Sequence, residues 1–325
     1  MGPPPVSGGV GERRRTAVLH LVWAPLGVEP LSAFLASCRA HPAEEDHEVV
    51  ILLNGTQLVG AADLGKLRGE LADTEHRLIE LPRPVLDLAA YAYAVSMIDH
   101  QFVCILNSYS RPRADGWLRM LGSALRRPGV GIVGASGSWA SHNSYARFHL
   151  GLPSPYRAVY RNRAQTIAAF AAIETERSGI QPAGGALAKI GTARALLGSI
   201  ASSPSFPATH LRTNAFMAAR ELLSWALPQS LSNKAGAHRV EGGRRSITRR
   251  VQATGLGVRV VDRRGEAFEP EDWPESDTFW HGDQERLLIA DNQSETYEQG
   301  SYERRLLLSR LAWGQRADAG AVPSR

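Results

Sequence analysis

The segment Gln101–Gly134, QFVCILNSYSRPRADGWLRMLGSALRRPGVGIVG, decides how the chain is read. It opens as an apolar strand that runs into a polar turn, Asn107-Ser108-Tyr109. Pro112 and a helical pattern over ADGWLRMLGSALRR follow, and GVGIVGAS then reads as another apolar strand. Strand, turn, helix and strand in succession make the repeating unit of an α/β sheet. In such sheets, side chains at the carboxyl ends of strands carry the chemistry.

The same alternation extends to the N-terminal side. AVLHLVWAPL (Ala17–Leu26) reads as a buried strand, and HEVVILLNGT as a second one closed by Asn54-Gly55. Between them, Leu31, Phe34, Leu35 and Cys38 fall on one helical face. GAADLGKLRGELADTE predicts a helix and HRLIELP a short third strand. DLAAYAYAVSMID predicts a helix with Leu88, Tyr91, Val95 and Ile98 on one face and Asp87 as its N-cap. Continuous apolar runs alternating with helices indicate parallel strands covered on both faces. The expected fold is therefore α/β, a Rossmann-like, mostly parallel sheet with helices on both faces.

Past Ser138 the pattern changes. One long helical stretch, YRNRAQTIAAFAAIETERSG, sits among Gly/Pro/Ser loops and reads as an insertion. HLRTNAFMAARELLSWAL returns to strand then helix, and RRSITRRVQATGLGVRVVDRRG is a helix ending at Gly255 followed by a strand, Val258–Asp262. The expected organisation is a disordered tail over 1–16, a ligand-binding half over 17–140, a helical insertion over 141–206, an acceptor half over 207–265, and a C-terminal extension with a closing helix over 266–325.

With 325 residues and 43% hydrophobic content, the chain can bury a full core. Its formal charge is +5 and its pI near 9.5, carried almost wholly by arginine, since Lys66, Lys189 and Lys234 are its lysines. These charges are scattered among acids without aromatic interleaving, which argues against a nucleic-acid partner. Cys38 and Cys104 lie in apolar segments without metal-ligand spacing, as expected of buried thiols in a reducing compartment. No apolar run is long enough for a transmembrane helix, and MGPPPVSGGVGERRR lacks a signal peptide's apolar region. The expectation is a cytoplasmic protein, with peripheral contact to an anionic membrane surface left open.

The order of motifs resembles the family-2-like glycosyltransferases with the A-type, nucleotide-sugar-binding fold. The Pro-containing loop WAPLG (Trp23–Gly27) follows the first strand, LLNGT closes the second, and a helix led by Asp87-Leu88 precedes the fourth. Gly116-Trp117-Leu118, Val130–Gly134, TNAFMAARELL and the stretch from Glu241 to Val261 follow in the family's order. The resemblance implies transfer of a sugar from a UDP-, GDP- or dTDP-linked donor to a saccharide or glycoconjugate acceptor hydroxyl. It places Ala24, Pro25, Asn54, Asp87, Asn107, Ser108 and Tyr109 at the nucleotide-sugar. Glu241 takes the position of the general base of an inverting reaction, and Asn214 and Trp280 that of acceptor contacts. His281 lies where some relatives place a histidine on metal or diphosphate.

One departure matters. Where the family holds Mg²⁺ or Mn²⁺ with an acidic DxD pair, this chain has Asn107 and Tyr109. A neutral amide and a phenol are poor partners for these hard cations. The expectation is a metal bound weakly or not required, with Arg111, Arg113, Arg244 and Arg245 as candidates for the diphosphate charge. The alternative is a catalytically inactive relative that keeps the fold as a binding or assembly module. The cluster Asp291-Asn292-Gln293 and the rings of Trp273 and Tyr297 suit either sugar contact or plain structural roles.

Overall fold

The computed structural model describes residues 16–178, 186–228 and 234–320. The tail expected over 1–16 lies outside them except for Thr16, which opens the first strand. The first half runs β1 (Thr16–Trp23), α1 (Glu29–Ala40), β2 (His47–Asn54), α2 (Ala61–Glu70), β3 (Arg77–Glu80), α3 (Asp87–Ser96), β4 (Phe102–Leu106), β5 (Arg111–Pro112), α4 (Trp117–Leu125) and β6 (Val130–Gly134). Then come β7 (Gly137–Ser138), α5 (His142–His149), α6 (Arg163–Ser178), α7 (Ala186–Ser202), β8 (His210–Leu211), β9 (Ala215–Ala219), α8 (Arg220–Ala226), α9 (Lys234–Glu241) and α10 (Ile247–Gln252). The chain closes with β10 (Gly257–Val261), β11 (Ala267–Phe268), β12 (Ile289–Ala290), α11 (Asn292–Glu298) and α12 (Tyr302–Trp313).

Eight strands form one sheet in the order β11-β10-β6-β9-β4-β1-β2-β3. The pairs β1–β2, β1–β4, β2–β3 and β6–β10 are parallel, so the expected mostly parallel sheet is what the chain forms. β9 enters antiparallel between β4 and β6. From β1 the chain moves outward to β3 and then returns to β4 on the other side of β1. That reversal makes a topological switch point, with a crevice at the carboxyl ends of β1 and β4.

Both faces are covered, as the continuous apolar strands require. Leu31, Phe34 and Leu35 of α1 and Trp117, Leu118 and Leu121 of α4 bury Val18, Ile51, Cys104 and Met217 on one face. On the other, α3, α8 and α10 cover Leu19, Leu52, Ile105 and Phe216. The C-terminal segment joins this second core, because Trp273 and Trp313 are fully buried in it. Trp273 and Tyr297, candidates for sugar stacking, are therefore core residues; the Tyr297 hydroxyl donates to the Gly282 carbonyl at 3.1 Å.

Three expectations need correction. Asp87 is not the cap of α3: Leu86 occupies that position without a side-chain bond, and Asp87 is the first helical residue. The segment 141–206 contains α5, α6 and α7 rather than one helix. HNSYARFH has too few apolar residues to show a helical period, but Ser141 starts α5 by accepting the Ser144 N–H at 2.9 Å. These helices keep a satellite core of Phe148, Tyr156, Val159 and Tyr160. Finally, β10 spans Gly257–Val261, one residue earlier than expected, with Asp262 in the following turn.

Candidate active site

The carboxyl ends of β1, β2 and β4 meet the start of β9 along one edge, with Trp23 opposite Asn54 and Leu106 opposite Ala215. Ala24, Pro25, Asn54, Asn107, Ser108 and Tyr109 lie at or just beyond these strand ends, whereas Asp87 opens α3, and several of their polar atoms are already engaged. Asn54 is fully buried; its Nδ2 donates to the Val85 carbonyl at 2.8 Å and its Oδ1 accepts from the Val85 N–H at 3.2 Å. It thus pins the segment leading into α3 instead of presenting its amide outward. Gly55 beside it has φ +80°, and a Cβ there would lie 2.7 Å from the Trp23 ring. Ala24 is buried and Pro25 exposed in the 3₁₀ turn after β1.

The altered turn at the end of β4 closes on itself. Asn107 Oδ1 accepts from the Tyr109 N–H at 2.9 Å and lies 3.0 Å from Ser110 Oγ. The single Ser110 hydroxyl proton is shared with the Asn214 carbonyl at 2.5 Å. Ser108 Oγ accepts from the Trp23 N–H at 3.3 Å, joining the ends of β1 and β4. This is an Asx turn, the arrangement that favours Asn at such a position. Replacing Asn107 with alanine should lower stability by about 1 kcal/mol. Asn107→Asp retains the acceptor and should leave the urea midpoint near wild type.

A divalent cation does not fit this turn. The Asn107 oxygen faces its own turn, Tyr109 offers a phenol, and among the described residues no cluster of three His, Cys, Asp or Glu side chains is placed to hold a metal. The half-buried His281 ring lies against the Arg316 backbone, and burial pushes its pKa down.

The expected diphosphate cations also need revision. Arg111 is ion-paired with Glu295, and Arg113 holds Glu298 at 2.5 and 2.8 Å, so both brace the β5–β12 ribbon against α11. Arg244 and Arg245 are exposed on the turn between α9 and α10. The cation at the strand ends that sequence reading missed is Arg212. Its guanidinium is 2.6 Å from Asp291 and stacks on Phe279 at 3.9 Å. Asp291 caps α11 through a capping box, which gives the Asp291-Asn292-Gln293 cluster a structural role. Its capping position, three residues before Ser294, was the available sequence signal.

Glu241 is the last residue of α9, and residues 242–246 lead from it into α10. Its Oε1 accepts from Thr213 Oγ1 at 3.0 Å, which places the carboxylate beside the first residues of β9. Gly243 follows so closely that a Cβ would sit 2.3 Å from the Arg239 carbonyl, so the sharp exit from α9 depends on glycine. The carboxylate lines a small cleft with Arg212, Thr213, Ile247 and Thr248. Burial pushes its pKa up; the Thr213 hydroxyl and Arg212 oppose the shift, and the Asp87 charge adds to it. Burial also pushes the Asp87 carboxyl up, although the residue keeps an exposed surface. Tyr91, one helical turn beyond Asp87, is fully buried and lies in the field of both carboxylates.

Asn214 Oδ1 accepts from Ser136 Oγ at 3.0 Å, while its buried Nδ2 has no partner among the described residues. Trp280 stacks on Phe279 at 4.4 Å and donates from Nε1 to the Gln293 carbonyl at 3.1 Å. Its loop carries left-handed backbone at Asp277, Trp280 and Gln284, conformations that cost non-glycine residues about 1–3 kcal/mol each. Burial pushes the Asp277 carboxyl up to about 6. A carboxyl raised on folding stabilises the fold below its unfolded pKa and loses that contribution as pH rises through the folded one. Stability should therefore fall between about pH 4 and 6. Asp277→Asn, which also suits the left-handed backbone, should flatten this slope and raise Tm at pH 7.

No family model matches the chain, and no curated protein sequence matches it. Among solved structures it is similar to the mannosyltransferase PcManGT from Pyrobaculum calidifontis in complex with GDP-Man and Mn²⁺, at 15% identity and TM-score 0.41, covering 76% of this chain and 54% of that one. It is also similar to glucosyl-3-phosphoglycerate synthase from Mycobacterium tuberculosis in complex with Mn²⁺, UDP and glucosyl-3-phosphoglycerate, at 14% identity and TM-score 0.32, covering 64% and 58%. The chain thus spans little more than half the length of either. Among the described residues no helix is long and apolar enough to cross a membrane.

Proposed function

We propose that the protein is a glycosyltransferase that takes a sugar from a nucleotide-diphosphate donor and inverts its anomeric centre, with Glu241 as general base. The observation that carries this reading is a partly exposed carboxylate next to the start of β9, held by the Thr213 hydroxyl, whose pKa burial pushes up. A base is most effective when its pKa approaches the working pH. The acceptor hydroxyl gives its proton to Glu241 as its oxygen bonds to the sugar C1. The bond from C1 to the diphosphate oxygen breaks on the opposite side, and the nucleoside diphosphate leaves with the electron pair. The donor rests on the edge formed by Ala24, Pro25, Asp87, Ser108 and Tyr109, with Asn54 and Asn107 fixing the backbone of that edge from within and exposed Arg244 and Arg245 as the cations near Glu241 in sequence.

The closed Asn107 turn favours a second reading, a nucleotide-sugar-binding module without turnover. Thermal shift with UDP, GDP and dTDP, with and without Mn²⁺, tests the shared donor site. Stabilisation by at least one nucleotide, unchanged by Mn²⁺, is the expected result. No shift with any of them removes the donor site. Turnover, and its loss in a Glu241 variant, separates the two readings.

A further inference from the structure

The positive charge that reads as scattered along the chain is unbalanced in one segment. Residues 141–206 hold seven Arg and Lys side chains against two acids, Glu174 and Glu176, an excess equal to the whole formal charge of +5. Three of these arginines converge on the surface turn 149–153, between α5 and α6. Arg147 Nε donates to the Pro153 carbonyl at 2.7 Å, Arg163 Nη1 to the His149 carbonyl at 2.8 Å, and Arg157 to the Gly151 carbonyl. Gly151 has φ +77°, and a Cβ there would lie 3.1 Å from Arg163 Nη1, so the guanidinium sits against the turn itself. Arg161 is exposed two residues before Arg163. Among the described residues none of these four is paired with a carboxylate, and Glu176 is held by Arg304 at 2.6 Å. A guanidinium that donates once to a carbonyl keeps most of its N–H groups for another partner. Within this ring of cations Leu152 is 39% exposed.

We propose that the 149–153 turn docks the protein on an anionic lipid bilayer, with Arg147, Arg157, Arg161 and Arg163 on the headgroup phosphates and Leu152 entering the acyl boundary. The inference does not depend on the glycosyltransferase reading. Guanidinium forks match phosphate oxygens, and each cation held near an anionic leaflet strengthens binding by about fivefold. An apolar side chain surrounded by such cations suits an interface that is charged outside and apolar within. A nucleic acid would meet the same arginines, but its bases need exposed rings to stack on. Tyr156 and Tyr160 of this segment are buried in the satellite core instead.

The test sediments the full chain with phosphatidylcholine vesicles, pure or with about 30% phosphatidylglycerol, in about 0.15 M salt at pH 7. Binding to the anionic vesicles should be at least about tenfold stronger than to the neutral ones, and about 0.5 M salt should remove most of that difference. Arg157→Gln/Arg161→Gln should weaken anionic binding by about tenfold or more. Leu152→Ser should weaken it by about threefold or more. All three positions are exposed, so Tm should stay near that of wild type. Arg13, Arg14 and Arg15 are intact in every variant, so a loss of binding locates the contact at the turn. Equal binding to the two vesicle types overturns the proposal, as does wild-type binding by either variant. Binding of a single-stranded oligonucleotide, read by fluorescence anisotropy, without binding to anionic vesicles overturns the lipid assignment.

Discussion

Glu241→Gln is expected to lower sugar transfer by about 10²- to 10⁴-fold, the usual contribution of a positioned base. Glutamine keeps an oxygen for the Thr213 hydroxyl, so the local geometry is preserved. Removing a carboxylate that burial disfavours should leave Tm at pH 7 unchanged or slightly raised. Nucleotide binding should also persist, which separates lost chemistry from lost folding. The pH profile offers a further check. Since burial and the Asp87 charge push the Glu241 pKa up, the acid limb of activity should lie above the ordinary carboxylate range. The sign follows from the base role: below its pKa the carboxyl is protonated and cannot accept the acceptor's proton. Turnover equal to wild type in Glu241→Gln would remove the residue from this role.

Arg212→Met is expected to destabilise the protein by about 3–5 kcal/mol, because it leaves Asp291 charged and buried without its partner. Asp291 is 1% exposed and Arg212 9%, so water cannot replace the lost interaction. The double variant Arg212→Met/Asp291→Asn should recover most of this loss. Asparagine still accepts the Ser294 N–H that caps α11, while the unpaired charge is gone. Urea denaturation at pH 7 reads both variants, with the slope showing whether the native state remains compact. A single variant within about 1 kcal/mol of wild type would show that the pair is dispensable, as exposed pairs usually are.

The architecture was legible wherever burial alone determines structure. The runs in β1, β2 and β4 are continuous and apolar because both of their faces are covered, and that signal needs no knowledge of partners. The direction of β9 was not legible in the same way. Ala215–Ala219 is as apolar as a parallel strand, and only its pairing with β4 and β6 makes it antiparallel. The helices α5 and α7 were hidden for a local reason. One has few apolar residues and the other, ALAKIGTARALLGSIAS, carries glycines at 191 and 198 that interrupt its pattern.

For the site, residue type was a weaker guide than position. Asn54 and Asn107 have the chemistry to hold a ligand, and both use their amide oxygens on the protein itself, through Val85 and Tyr109. Arg111 and Arg113 looked free in a basic turn, but the glutamates that claim them lie far along the chain in α11. Sequence alone determined that the chain forms strands and helices in an order that builds a mixed α/β sheet, because hydrophobic periodicity is written locally. Tertiary structure decided which polar groups remain available at its edge. Availability is set by hydrogen bonds and ion pairs between distant segments, and it leaves the Glu241 carboxylate, held by Thr213, lining a small cleft at that edge.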